Sequence, residues 1–191
     1  MVKSSSSRVA RRRAADRQRI LDAAAARIAS AGGVHGVTVE DIGEDADIAR
    51  RTLYSHFESK DAIIASIVRP VMDRAVDLLP AQAPADPDVA LDAVVTCYLT
   101  LWREQRDSLR VAYCVKHAPD DQELMDQHEV FMRRLIACLK SVHDAGRLRC
   151  GDPMLATHTI SRVCISLLEL YADREGGERL FGDSLRALLA L

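Results

Sequence analysis

Residues 38–60 read TVEDIGEDADIARRTLYSHFESK, and this stretch decides how the rest of the chain is read. Val39, Ile42 and Ala46 recur at i, i+3 and i+7, the spacing that lines one face of a helix. Thr38 followed by Asp41 forms a capping-box pattern, which supplies side-chain partners for the free N–H groups of a first helical turn. A turn falls at Asp47-Ile48, after which Ile48, Leu53 and Phe57 make a second apolar stripe. Arg50, Arg51, Thr52, Tyr54 and His56 are left to face elsewhere. Two short helices crossing through so tight a turn form a helix-turn-helix, whose second helix can enter a major groove.

Upstream, Ile20, Leu21, Ala24 and Ile28 give the inner face of a helix predicted from about Ala14 to Ala31, stopped by Gly32-Gly33. With Val39, Ile42, Leu53 and Phe57 these residues suffice to fill a small three-helix core. Residues 1–13 are polar and Ser-rich and end in Arg11-Arg12-Arg13. They read as a disordered basic arm, either gripping a phosphate or minor groove or serving as a solvated tail. Downstream, Ser59 is placed to cap a helix running to about Leu79, with a kink expected near Val68 to Val71 because Pro70 lacks a backbone donor. Residues 80–88 form a loop. Asp86-Pro87 then opens a helix to about Arg106, a short one follows from Asp107 to Lys116, and Pro119-Asp120 opens another to Ala145. Asp152-Pro153 begins a helix to about Arg174 that is apolar around much of its circumference, Leu155 and Leu170 included, and Glu178–Leu191 ends the chain. No repeat and no strand is evident. The expected fold is all-α: arm 1–13, a helix-turn-helix domain 14–60, and a helical body 61–191.

Composition agrees with this and excludes several classes. The 191 residues are 48% apolar and only 4% aromatic, and no apolar run is long enough to span a bilayer. The N-terminus has charge without the apolar segment of a secretory signal, so a cytoplasmic protein is expected. Five scattered cysteines (Cys97, Cys114, Cys138, Cys150, Cys164) without a CxxC pair argue against a disulfide framework or a zinc ribbon. Residues 1–60 carry 11 Lys/Arg against 8 Asp/Glu, whereas residues 61–191 carry 15 against 20. A basic front on an acidic body fits nucleic-acid contact through one end.

The run from Thr38 to Asp61 resembles the signature of the TetR family of bacterial transcriptional repressors, above all in its core Thr52-Leu53-Tyr54-x-His56-Phe57-x-Ser59-Lys60. The preceding segment, RQRILDAAAARIASAGGVHGVTVEDI, is similar to that family's first helix and loop, so the match covers about residues 14–64. The resemblance implies that the first three helices bind double-stranded operator DNA. It also implies a small-molecule effector pocket in the C-terminal helices and a homodimer built through the last two. Effector binding would move the fourth helix and release the operator. The chain departs from the family in its turn, Ala46-Asp47-Ile48-Ala49-Arg50-Arg51. Asp47 replaces the usual glycine and Ala49 a capping serine, while Arg51 adds a second long cation and Gly43 stands where alanine is common.

On the recognition helix, Arg50 and Arg51 can bond guanine O6 and N7 with paired donors, and Thr52 can meet a thymine methyl or a phosphate. Tyr54, His56 and Lys60 resemble phosphate clamps, and Thr38 can offer its hydroxyl to phosphate while capping. In the body, Tyr98, Trp102, Tyr113, Cys114, His117, His128, Phe131 and Met132 are candidates to line a pocket for a drug-sized apolar ligand of unknown identity. No cofactor, metal or catalytic residue is assigned. Cys114-x-x-His117 with His128 leaves a metal- or redox-responsive regulator as an alternative, and a Cys/His enzyme as a more distant one, lacking any nucleophile motif.

Overall fold

The computed structural model describes residues 3–115 and 121–191. Eight helices occupy them: α1 (Lys3–Ser30), α2 (Val39–Asp45), α3 (Arg50–His56), α4 (Lys60–Leu78), α5 (Pro87–Cys114), α6 (Gln122–Asp144), α7 (Pro153–Tyr171) and α8 (Gly177–Leu189). The chain is all-α as expected, and the one extended pairing among the described residues is a single antiparallel bridge between Leu148 and Ala190.

The helix starts anticipated from polar side chains are present. Thr38 Oγ1 accepts the Asp41 N–H at 3.1 Å while Asp41 Oδ2 accepts the Thr38 N–H at 2.8 Å, a complete capping box for α2. Ser59 caps α4 through Ala62, Asp86 caps α5 through Asp88, and Asp152 caps α7 through Met154. The cap of α6 is Asp121, whose carboxylate accepts the Leu124 N–H, one residue beyond the expected Pro119-Asp120 start. Those two residues and Lys116 lie outside the described residues.

The structure bears on four expectations. α1 reaches back to Lys3, so residues 3–13 of the expected arm are helical among the described residues. Its first turns contain neither glycine nor proline, and the Ala/Arg-rich sequence after Ser7 has high intrinsic helix propensity. α4 runs from Lys60 to Leu78 as expected, with Pro70 inside it; the ring is exposed and the Ser66 carbonyl is denied its helical partner. The two helices expected on either side of Arg106 are present as two segments of α5 that meet at a kink, where Gln105 is non-helical (φ −146°, ψ 44°), one residue before Arg106. A helix apolar around much of its circumference is expected either to be central in a core or to be shared with another subunit. In α7, Leu155 and Leu170 are 50% and 49% exposed, the core face being Ala156, Thr157, Ile160, Cys164 and Leu168, so it is not central in this core.

One continuous apolar core runs from Ile20 in α1 to Ala190 at the end of α8. α4 lies at its centre, packed against α1, α5 and α6, and joins the three N-terminal helices to the body. α5 is fastened to the α7–α8 side by a ladder in which Arg103, Arg106 and Arg110 pair with Glu178, Asp173 and Glu169. Each such exposed pair adds little stability, but together they fix the register of the helices. The C-terminus is tied back by Arg149 N–H to Leu189 and Leu191 N–H to Arg147.

At the start of α8 the chain passes so close to α7 that a side chain has no room: a Cβ on Gly177 would lie 1.7 Å from the Tyr171 carbonyl oxygen. Gly177→Ala must therefore push the α7–α8 turn apart. It is expected to lower stability by about 2–3 kcal/mol, read as a fall in melting temperature of roughly 5–10 °C.

Candidate nucleic-acid interface and effector cavity

The turn between α2 and α3 is a complete Schellman motif. The Ile48 N–H bonds the Gly43 carbonyl at 2.9 Å and the Asp47 N–H bonds Glu44 at 3.1 Å, with Asp47 left-handed at φ 51°. Aspartate thus fills the position where the family has glycine, among the few side chains that tolerate it. Gly43 is not an idle helix weakener. A Cβ there would sit 3.1 Å from the Ile48 carbonyl oxygen, so glycine lets the turn fold tightly onto α2. Ala49 at the N-cap of α3 makes no side-chain cap, and Asp47 does not replace it.

α3 is held from behind by α1. Arg13 Nη2 donates to the Ser55 carbonyl at 3.2 Å, and the Arg17 guanidinium lies 4.9 Å over the Phe57 ring and donates to Ser66 Oγ. Arg27 grips Asp45 with two hydrogen bonds of 2.6 and 3.0 Å, fixing the end of α2. Leu53 and Phe57 are buried beneath α3, which leaves Arg50, Arg51 and Tyr54 exposed and Thr52 half-buried. Those four residues share one short helix and form an open cationic, aromatic surface.

The remaining sequence-predicted contacts divide. His56 is half-buried beside α1, where Arg19's hydrogen bond, aided by charge from Arg12 and His56, holds the Asp16 carboxyl below its usual range. Thr38 is exposed, with its hydroxyl donating to Asp41 at 2.7 Å. Lys60 is occupied: its ammonium donates to the carbonyls of Val34 and Val37 at 3.1 Å each, pinning the loop before α2. Arg50 is also engaged, paired with Glu40 at 2.8 Å and lying 5.6 Å over the Tyr54 ring. Glu40 does not stand out in the sequence, where an exposed glutamate one helix away carries no sign of its partner.

In the body, two adjoining cavities open between α4, α5 and α6. The outer one, about 540 Å³, is walled by Val68 and Met72 of α4, Val115 of α5, and Leu124, Met125 and Met132 of α6, with Asp126 and Glu129 also in its wall. The inner one, about 170 Å³, shares Met72, Ala112, His128 and Met132 with it and ends on Tyr98, Tyr113 and Phe131. Five of the eight expected pocket residues are therefore gathered here: Tyr98, Tyr113, His128, Phe131 and Met132. Trp102 is not among them. It lies in a groove facing the α7–α8 turn, with the Arg106 guanidinium 4.5 Å over its ring. Cys114 lines neither cavity, and His117 lies outside the described residues. Val68 and Met72 carry only a core signal in the sequence, because lining a cavity and filling a core require the same i, i+4 apolar spacing.

Tyr113 donates its hydroxyl to that of Tyr98 at 2.8 Å, with the rings edge to face at 6.4 Å. Burial pushes both phenols well above their ordinary pKa, so both stay protonated. Burial also pushes the Cys97 thiol up to about 12 and raises those of Cys164, Cys138 and Cys114, which disfavours their thiolates. Cys150 is the exposed cysteine. Among the described residues no group of three or more His, Cys, Asp or Glu is placed to hold a metal ion, and no helix is long and apolar enough to cross a membrane.

Residues 20–67 match the family described as bacterial regulatory proteins, tetR family. The chain is 27% identical over 142 residues to the HTH-type transcriptional regulator EthR of Mycolicibacterium smegmatis. That match covers 72% of this chain and 64% of EthR, a little under two thirds of that protein's length. Among solved structures, the TetR family regulator PfmR from Thermus thermophilus superposes with TM-score 0.67 at 20% identity, over 90% of this chain and 94% of that one. AibR, in complex with isovaleryl coenzyme A and operator DNA, superposes with TM-score 0.68 at 16% identity, over 91% and 97%. Both likenesses establish the fold.

The geometry gives Lys60 a structural task. Lys60→Ala removes a cationic donor from two loop carbonyls and is expected to cost about 1–3 kcal/mol, measured by thermal or urea unfolding. Arg51→Ala, which removes an exposed side chain, should leave stability within about 0.5 kcal/mol of the parent.

Proposed function

We propose that this chain, which belongs to the tetR family of bacterial regulatory proteins, is a transcriptional repressor. In this reading it acts as a homodimer and leaves its operator when a small apolar molecule enters the cavity between α4, α5 and α6. The observation that carries the reading is the α2–turn–α3 unit, with Arg50, Arg51 and Tyr54 exposed on α3 and Thr52 half-buried between them. The arginines supply paired donors for guanine edges, and Tyr54, Thr38 and the α1 arginines supply phosphate contacts that set register. His56 and Lys60 act from behind, by holding α3 and the loop before α2 in place. No catalytic role is assigned to any residue.

α4 is the mechanical link. Its Val68 and Met72 line the cavity, while Lys60 at its N-terminus holds the loop that leads into α2. Towards α6 it is held by Arg69 to Asp121 at 2.5 Å, by Gln127 to Asp73, and by Arg134 to the Val76 and Leu79 carbonyls. A ligand that wedges α4 away from α6 favours whichever setting of α4 leaves the larger cavity, and the equilibrium shifts by its differential affinity. Two reading heads of a dimer must match two half-sites about one helical turn apart, so a small change in α4 is enough to spoil the match.

The last two helices support dimerisation. Leu155 and Leu170 on α7 and Leu180 and Leu188 on α8 are each at least 41% exposed, an unusual apolar endowment for a free surface. Paired across a two-fold axis they would be covered. Equilibrium sedimentation is expected to give a dimer at micromolar concentration, and the Leu155→Glu/Leu170→Glu variant a monomer that no longer binds operator. A parent protein that sediments as a monomer overturns the assignment.

Specific, salt-sensitive binding to a palindrome, measured by fluorescence anisotropy on fragments flanking the gene, tests the reading itself. Arg50→Ala/Arg51→Ala is expected to lose the preference for operator over unrelated DNA by about 10-fold or more. Glu40→Gln frees Arg50 from its exposed ion pair, a pair worth about 1 kcal/mol or less, and should tighten binding to all sequences by a few-fold. Equal binding of the double arginine variant and the parent to operator would show that α3 does not read the bases.

A further inference from the structure

The floor of the inner cavity carries an unbalanced hydrogen-bond count. Tyr98 is 2% exposed, and its hydroxyl meets that of Tyr113 at 2.8 Å. Two phenol hydroxyls bring two protons, and the bond between them uses one. Among the described residues neither oxygen has a further hydrogen-bond partner. One donor is therefore left at the base of a cavity whose other walls are Met72, Ala112, Phe131, Met132 and Leu135, with the His128 imidazole and the Ser161 hydroxyl also in the lining. A buried O–H without an acceptor is costly, and neither the His128 imidazole nor the Ser161 hydroxyl, which donates to the His158 carbonyl, is hydrogen-bonded to either phenol. Because burial keeps both phenols protonated, the spare donor persists throughout the neutral range.

The rest of the lining narrows what can meet it. Thioether, aromatic and aliphatic groups form most of both cavities, which lie in series between α4 and α6. Among the described lining residues there is no Lys or Arg, and the outer cavity carries the carboxyl groups of Asp126 and Glu129. An anionic group would lose hydration there and face those two carboxyl groups. We propose that the Tyr98–Tyr113 pair is the polar anchor of the effector site, and that the effector is an uncharged, elongated apolar molecule whose single carbonyl-type oxygen accepts the spare phenolic proton. This rests on the effector-responsive reading above and assigns that site its ligand chemistry.

Methyl ketones from heptan-2-one to undecan-2-one, carrying a carbon-13 carbonyl, are the probe. Calorimetry and infrared spectroscopy are run on the full-length parent, on Tyr113→Phe and on Tyr98→Phe/Tyr113→Phe. In the parent, at least one ketone of the series is expected to bind with its carbonyl stretch lowered from the value in hexane, as hydrogen bonding requires. Tyr113→Phe keeps the Tyr98 donor and should keep the lowered band. The double variant, with both partners replaced by apolar groups of similar shape, should remain folded, lose the band shift and bind up to about tenfold more weakly. A carbonyl band in the parent at its hydrocarbon position overturns the anchor, and so does a band shift that survives in the double variant. So does a parent that binds no ketone of the series. Operator binding is measured on the same preparation: a parent that binds operator but ignores the ketones overturns only the ligand assignment, whereas failure to bind any specific DNA overturns the regulator reading itself.

Discussion

The inner face of α4 is buried from Ile63 to Ala75, and both parts of the molecule need it. α1 packs on it from the N-terminal side, while α5 and α6 pack on it from the body. A helix that completes two packings cannot be optimised for one alone. Uninterrupted passage through Pro70 matters in that light, because a helix broken there would uncouple its two ends. Close-packed surfaces of this kind move between discrete arrangements more readily than they deform.

The helix-turn-helix was legible in the sequence because nearly all of its determinants are local. Thr38 and Asp41 are three residues apart and find each other regardless of the remaining fold, and Asp47 announces a left-handed turn by residue type. The cavity was half legible. Tyr98, Tyr113, Phe131, His128 and Met132 stand out as aromatic, thioether or imidazole groups on neighbouring helices. Trp102 shares that chemistry, yet it lies with Leu99, Arg103 and Arg106 on the stripe that faces the α7–α8 turn. Cys114 follows Tyr113 directly and so points about 100° away around the helix. Which neighbour covers each stripe of α5 is a fact of tertiary packing, and no spacing in the sequence records it. The same limit explains Lys60. Its type fits a phosphate contact, but the carbonyls it serves belong to a loop more than twenty residues earlier.

The cavity's composition sets limits of its own. Met72, Met125 and Met132 are flexible and polarisable, so the walls can adapt to ligands of different outline. The Tyr98–Tyr113 contact is the opposite: two rigid rings held edge to face, with a directional hydroxyl between them. Adaptable walls around a fixed polar point select by functional group more than by shape.

The contact between Glu40 and Arg50 bears on how such a protein travels. α2 carries Glu40, Asp41, Glu44 and Asp45 beside the two arginines of α3, and Asp47 follows in the turn. A head that keeps one of its cations paired with its own carboxylate has a weaker hold on arbitrary phosphates, and residence on unrelated DNA shortens accordingly. The operator must then offer enough through its bases to draw Arg50 out of that pairing. In the repressor reading proposed above, less of the protein's time is then lost on the competing sites in a genome.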